Sequence, residues 1–320
     1  MTGRGIISLL TALLLAGCGD GGDKAPLRIG LVPFVPINER AVEGFKAALG
    51  EAGFVEGRQV EFRAIPPDGN IEALPAKIDE LLAWQPRLIF VNSTPSAVAV
   101  AKATAAGYPA VVFGPVSDPL DAGIVKDLRS PGGHITGVRL AISSGLRLEW
   151  LLRIAPQVRR IYLPYIAGDK SAVVSVQQMR EAARQAGVTL LERPLQAATE
   201  IEAAAREIPA EAEAIMLAQD SRVESQVKLF VAAAQARRLP LSAPSGIQAE
   251  AGALMSFGHE HGAIGRQAGR LAVEILRGAR AGDLPVETSE SYLMLNLRAA
   301  EAIGLRLDDA VLRQAHRVIR

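Results

Sequence analysis

Cysteine is almost absent. Cys18 is the only one in 320 residues, so the chain beyond it has neither disulfides nor cysteine-based metal sites. Aromatic residues make up only 4%, and no basic stripe gathers along the sequence, which sets aside the stacking platforms and positive faces of nucleic-acid binders. Excess charge is missing too. Without residues 1–17 only Arg4 is lost, leaving 34 basic and 34 acidic side chains, so no polyanionic partner is implied. The apolar run Ile6–Leu15, interrupted by Ser8 and Thr11, is well short of the roughly 20 residues of a membrane-spanning helix. Stability must therefore come from a hydrophobic core. The abundant Ala, Val, Leu and Ile of roughly 300 mature residues can supply one, more readily as two domains than as one.

The stretch Gly17-Cys18-Gly19-Asp20-Gly21-Gly22 has the G-x-G-x-x-G spacing of a dinucleotide-binding turn, which works only between a strand and a helix start. Neither flank fits. Before it lies a short segment carrying Arg4 and then the apolar run, the layout of a signal peptide. After it, Asp20 to Pro26 is polar and glycine-rich, a flexible tether. The same residues seen from Leu15, as Leu15-Ala16-Gly17-Cys18, resemble the lipobox of bacterial lipoproteins. That resemblance implies a signal peptide over residues 1–17, a mature chain beginning at a lipid-modified Cys18, and a tether over 18–26.

From Leu27 onward, short aliphatic runs alternate with stretches of helical period, the pattern of an α/β fold with parallel sheets. Strands are expected at Leu27–Val32, Val60–Ala64, Leu88–Val91, Ala110–Phe113 and Ile135–Val138, with helices at Glu39–Ala52, Ile71–Ala83 and Ser96–Ala106 between them. A second set has strands at Arg160–Leu163, Val188–Leu191, Ala214–Leu217 and Ala253–Ser256. Its helices fall at Gly145–Ile154, Ala172–Ala186, Ile201–Ile208 and Arg222–Arg237. A long helix, Ala263–Arg277, and a strand, Tyr292–Asn296, follow. The expectation is two Rossmann-like lobes joined by several crossover strands: residues 27–138 with about 258–285, and residues 139–257 with about 286–320. Such lobes enclose a cleft, and ligands bind outside the carboxyl ends of the strands.

Three strand ends carry polar caps. Asn92-Ser93-Thr94-Pro95 places Thr94 as N-cap and Pro95 at the first helical position, a start suited to an anion, although plain capping accounts for the same residues. Ser117-Asp118-Pro119 repeats the device, with Asp118 most simply a cap. Asp220-Ser221 does so in the second lobe, where Asp220 is a candidate partner for a ligand ammonium group. His259-Glu260-His261 invites a metal reading, but a closed zinc site wants four ligands and no third histidine is near. A cleft turn with a ligand-contacting His259 is the better account. No G-x-S-x-G, G-x-x-x-x-G-K-[ST] or H-E-x-x-H occurs, so enzyme signatures are thin.

Gly53-Phe54-Val55-Glu56-Gly57-Arg58, Asp118-Pro119 with Ala122-Gly123-Ile124-Val125, and the run Arg129 to Val138 resemble motifs of one family. So do Gly265-Arg266-Gln267-Ala268-Gly269, Gly282 to Glu287 and Leu295-Asn296-Leu297-Arg298-Ala299-Ala300. The chain resembles, over nearly its whole mature length, the ABC transporter substrate-binding proteins that include tryptophan- and tyrosine-binding members. The resemblance implies a type I periplasmic binding protein fold, in which two lobes close on a small ligand and dock on a membrane permease. It places the pocket at Phe34, Ser93, Thr94, Ser117, Asp118, Tyr165, Asp220, Ser221 and Ser245. This chain departs from the aromatic-binding pattern in having Tyr165-Ile166-Ala167-Gly168 for an Asn-Pro beside the aromatic, and His259 and His261 where aromatics stand.

The expectation is a lipid-anchored, extracytoplasmic, monomeric solute-binding protein for a small carboxylate-bearing, amino-acid-like molecule. It needs no cofactor or metal, performs no catalysis and engages no nucleic acid. A ligand sensor for a membrane receptor, or a periplasmic hydrolase, are the alternatives.

Overall fold

The computed structural model describes residues 25–141 and 143–320, so the lipobox expectation at Cys18 lies outside the described residues. Among the described residues no helix is long and apolar enough to cross a membrane.

The first lobe holds strands β1 (Leu27–Val32), β2 (Val60–Ala64), β3 (Leu88–Val91), β4 (Ala110–Val116) and β5 (Ile135–Arg139). The second holds β6 (Arg160–Ile166), β7 (Thr189–Leu195), β8 (Ala214–Met216), β9 (Leu241–Ser245) and β10 (Met255–His259). The chain then adds β11 (Glu287–Thr288) to the first sheet and β12 (Tyr292–Asn296) and β13 (Arg317–Ile319) to the second. The orders are β11-β5-β4-β3-β1-β2 and β13-β12-β10-β9-β8-β6-β7. Every pairing is parallel except β10 with β12.

Set side by side, β2-β1-β3-β4-β5 and β7-β6-β8-β9-β10 are the same order. Each sheet reverses its winding once, between its first and third strands. Helices that leave adjacent strands at such a reversal go to opposite faces, and a crevice opens outside the strands' carboxyl ends.

Both sheets are covered on both faces, which is why their strands are continuous apolar runs such as Leu88-Ile89-Phe90-Val91, all buried. One face of the first sheet packs Phe90 on Phe45, rings parallel and 4.2 Å apart. The same layer takes the helix His261–Leu276, whose Ile264, Ala268, Leu271, Ala272 and Ile275 recur on one face. This helix lies against Glu39–Glu51 so closely that only glycine fits at the crossing. A Cβ on Gly44 would run into the Gly262 carbonyl, and one on Gly265 into the Ala41 carbonyl. A helix that follows β10 of the second sheet thus belongs by packing to the first lobe.

The lobes are joined by three crossings, after β5, after β10 and between β11 and β12. They run side by side. Ala141 N donates to Ser289 Oγ at 3.2 Å, Ser289 N donates to Arg139 O at 2.8 Å, and Gly258 pairs with Tyr292.

Several strands run further than their composition suggests. β6 continues through Pro164 to Ile166, although it is an interior strand. Only Ile161 and Tyr162 pair with β8. Past them that edge is free, so the missing N–H of Pro164 forfeits no ladder bond. The Ile166 N–H, two residues on and facing the same way, donates to Asp220 Oδ2 at 2.9 Å. The expected helix Arg222–Arg237 is two, Ser221–Ser225 and Val227–Arg237, parted at Gln226.

Candidate ligand cleft between the lobes

Both winding reversals face each other, and the loops at them supply the walls of one cavity. The first lobe contributes Asn38 after β1, Ser93 and Thr94 after β3, Pro115 and Ser117 at the end of β4, and Leu140. The second contributes Ser171 after β6, Gln219, Ser221 and Glu224 after β8, and His259 at the end of β10, while His261 opens the helix that packs on the first lobe. The cavity measures about 20 Å³, room for about one water molecule, and at Thr94 it adjoins a second interlobe cavity of about 170 Å³ between Ile71, Pro95 and Val98 of the first lobe and Gly168, Asp169, Lys170 and Arg222 of the second, so the lobes stand together. Contacts at the rim hold them there. Lys170 Nζ donates to the Asp121 carbonyl at 3.2 Å on one side, and Arg40 meets Glu250 at 3.4 Å on the other.

On the first-lobe wall the helix Thr94–Ala103 begins at Ser93, which is the N-cap in place of the expected Thr94. The reason is geometric. Ser93 has φ 76° and ψ 148°, a region that side chains other than glycine's avoid. From that position its N–H donates to Pro115 O at 3.1 Å while its carbonyl accepts the first helical bond, from Ala97. The amides of Thr94 and Ser96 precede that bond and have no helical partner. Together with the helix dipole they favour a negative group. Thr94 Oγ1 accepts the Ser117 N–H at 3.2 Å, which brings the two hydroxyl-bearing loops together.

The second-lobe wall is built over buried charge. Glu224 is 4% exposed. Its Oε2 accepts from Gln248 Nε2 at 2.8 Å, and Gln248 is itself fixed by Ser245, whose N–H and Oγ both donate to Gln248 Oε1. Burial pushes the Glu224 carboxyl up to about 8, against the lowering pull of Gln248 and Arg147. Beneath lies Arg147, whose Nη2 donates to Leu217 O at 2.6 Å while Nε and Nη1 have no partner among the described residues. Burial draws it down to about 10. His259 and His261 stand with ring centroids 4.6 Å apart. Burial holds His259 well below its ordinary range and takes His261 to about 4, so both are neutral at neutral pH.

Of the residues expected in the pocket, Ser93, Thr94, Ser117, Ser221 and His259 line the cavity together. The other five do not. Phe34 is packed into the first-lobe core. Tyr165 lies in the second-lobe core, with its hydroxyl donating to Glu192 at 3.0 Å on the β7 side. Asp118 closes a turn by accepting from the Leu120 and Asp121 amides. Ser245 sits behind Glu224, holding Gln248. Asp220, the expected ammonium partner, is fully buried with both oxygens in use: Oδ1 accepts from the Arg222 and Val223 amides, Oδ2 from Ile166. Its nearest side-chain charges are the neighbouring Arg222, which also reaches Asp169 at 3.3 Å, and Asp169 itself. Burial first, then the Asp169 charge, raises its pKa.

The acid that lines the cavity is Glu224, one helical turn on from Asp220. Its position is the i+4 partner of a legible cap, and that is the only signal by which the sequence could have found it. Asn38 and Gln219 gave none. Among the described residues no three His, Cys, Asp or Glu side chains converge as a metal set.

The architecture has relatives. Residues 34–319 match the family model described as ABC transporter substrate binding protein. A tyrosine-binding protein of Clostridioides difficile is 25% identical over 316 residues, covering 94% of this chain and 91% of that one. An ABC domain from Streptococcus pneumoniae, solved in complex with L-Trp, superposes with a TM-score of 0.86 at 26% identity, over 92% of this chain and 100% of the other. The ligand-free, open structure of a substrate-binding protein with adhesive properties from Clostridium difficile gives 0.68 at the same identity, over 92% and 99%. With identity and coverage nearly equal, the chain superposes more fully on the complex than on the open form.

Proposed function

We infer, because this chain belongs to the ABC transporter substrate-binding protein family, that it captures an amino-acid-like ligand between its lobes and hands it unchanged to a membrane permease. The observation that carries the ligand class is the pairing of walls. One side of the cavity is a helix start with free amides and the hydroxyls of Ser93, Thr94 and Ser117; the other presents Glu224. An α-carboxylate suits the first, an α-ammonium suits the second, where its charge draws the buried Glu224 carboxyl back to the ionised form, and a molecule with both bridges the lobes. The relatives that bind tyrosine and L-Trp support the same class. Bridging contacts exist only when the lobes are together, so such a ligand draws the protein toward the closed form.

The binding residues proposed are Ser93, Thr94, Ser117, Ser221, Glu224 and His259. No catalysis is assigned to them. Cys18 is the proposed lipid anchor outside the cytoplasm, and the chain is proposed to act as a monomer. Labelled fatty acid should enter the parent and not Cys18→Ala.

A thermal-shift screen of the mature domain against L-amino acids, small organic acids and nucleosides tests the ligand class. A ligand at 100 times its Kd adds about 2.7 kcal/mol of stability. If organic acids without an amine or nucleosides shift the transition and no amino acid does, the reading fails.

A further inference from the structure

The cavity wall contributed by β10 and the helix after it is unlike the rest of the cleft. His259 ends the strand and His261 begins the helix, with Glu260 between them. Residues two apart on extended backbone face the same way, so both imidazoles line the cavity, 4% and 3% exposed. No hydrogen bond reaches any of their four ring nitrogens among the described residues, and both Nδ1 atoms are fully buried. Buried imidazole nitrogens ordinarily have partners. The sealed Nδ1 atoms lie out of a ligand's reach, so each ring meets the cavity through its Nε2 edge, where an occupant can supply a partner.

Being neutral, each ring can turn either a donor or an acceptor Nε2 toward the cavity, according to its tautomer. The pair therefore matches a group that both donates and accepts. Charge fits poorly there. A cationic group would face Arg147 and Arg40, whose fields already act on His259 and His261 respectively. An anionic group would face Glu224 in the ionised form that the ligand's ammonium demands. An aromatic face fits no better, since among the described residues Pro115 and Leu140 are the only apolar side chains of this lining and no ring other than the imidazoles is present to stack on. It would leave the ring nitrogens buried without partners.

We propose that His259 and His261 read the ligand's side chain, and that the ligand is an amino acid with a non-aromatic side chain ending in an uncharged hydrogen-bonding group, a carboxamide or an aliphatic hydroxyl. The proposal rests on the amino-acid reading given above. It sets this chain apart from the tyrosine- and tryptophan-binding proteins that it resembles. A site built to hydrogen-bond its ligand rejects an analogue lacking the group by several powers of ten.

Calorimetric titration of the full mature protein with L-glutamine, L-asparagine, L-serine and L-threonine, and with L-tryptophan, L-tyrosine and L-phenylalanine, tests it. One of the first four should bind at least about a hundredfold more tightly than any of the aromatic three. His261→Phe should weaken that ligand by at least about tenfold and narrow the gap to the aromatic set, whereas His261→Gln, which keeps a donor and an acceptor, should retain most of the affinity. Melting curves of the ligand-free variants verify that both fold. The parent's own order of preference needs no variant. An aromatic amino acid binding best to the parent overturns the proposal and leaves the amino-acid reading standing. A folded His261→Phe with parental affinity and preference also overturns it. If none of the seven binds and the screen finds a ligand of another class, the amino-acid reading falls and takes this one with it.

Discussion

Arg40 of the first lobe and Glu250 of the second meet at 3.4 Å across the rim of the cleft, and Arg317 holds the same carboxylate at 2.6 Å. The second contact keeps Glu250 aimed before closure, so Arg40 is the partner made and broken as the lobes move. Its side chain is 57% exposed, so the pair contributes no more than about 1 kcal/mol. Arg40→Gln should weaken ligand binding within that limit at low salt and by nothing measurable in about 1 M salt, where screening reaches about 3 Å. Titrations at two ionic strengths check both halves.

Asp220 and Glu224 should separate when each is replaced by its amide. Asp220→Asn replaces a carboxylate that accepts three backbone amides, and the new amide hydrogens face donors. Its ligand-free melting temperature should fall, by about 1–3 kcal/mol in stability. Glu224→Gln keeps an acceptor for Gln248 and should leave the fold intact while weakening ligand binding by about 2 kcal/mol, the scale for removing one member of a buried charge pair. The reverse pattern would return the ammonium partner to Asp220.

Stability should depend on pH through the same wall. Burial lifts Glu224 from 4.5 to about 8, so the folded protein keeps a proton that the unfolded chain has released. That contribution is complete below the unfolded value and is lost as pH rises through the folded one. His261 runs the other way. Burial lowers it from 6.5 to about 4, and its contribution, present above the unfolded value, is lost as pH falls through the folded one. His259 has the same sign as His261, whereas Asp169 and Asp220 have the sign of Glu224. Between pH 6.5 and 8 the carboxyls act without the histidines, and the ligand-free melting temperature should fall. Glu224→Gln should flatten that fall, and His261→Gln the loss on the acid side. A parent curve that rises across this window would contradict the burial of these carboxyls.

Ser93 sits at φ 76°, ψ 148° at the head of the helix that faces the ligand. Glycine adopts that geometry without strain. Ser93→Gly should therefore relieve about 1 kcal/mol or more in the folded state, partly offset by the greater freedom of the unfolded chain. The ligand-free protein should melt slightly higher. Binding should weaken by about 1 kcal/mol, the worth of the lost hydroxyl. An unchanged affinity would make Ser93 a cap alone.

Leu88–Val91 has the bounds that its apolar run announces, because a strand buried on both faces leaves an unmixed hydrophobic trace; Leu27–Val32 and the edge strand Val60–Ala64 match as well, although Arg28, Glu61 and Arg63 interrupt them. β9, Leu241–Ser245, was not expected. It is a central, fully buried strand built from Leu, Ser, Ala, Pro and Ser, and small residues carry no such trace. β4 and β6 were placed too short since each contains a proline, and the pairing that excuses Pro164 is invisible along the chain. The site divides the same way. Ser93, Thr94 and Ser221 stand in helix-start patterns that local sequence marks. Glu224, Gln248 and Arg147 are polar residues within or beside helical stretches, where charge ordinarily means solvent. Their burial arises from lobe packing alone, and so did the commitment of Asp220 to its own backbone.

The three crossings bear on selectivity as well as on movement. Segments lying side by side and bonded to one another, as Ala141 is to Ser289, resist shear and twist between the bodies they join and leave bending as the soft coordinate. Closure then has in effect a single degree of freedom. A molecule of the wrong length cannot be met by a sideways shift of one wall, because only one path brings the walls together and it ends where the helix start and Glu224 are a fixed span apart.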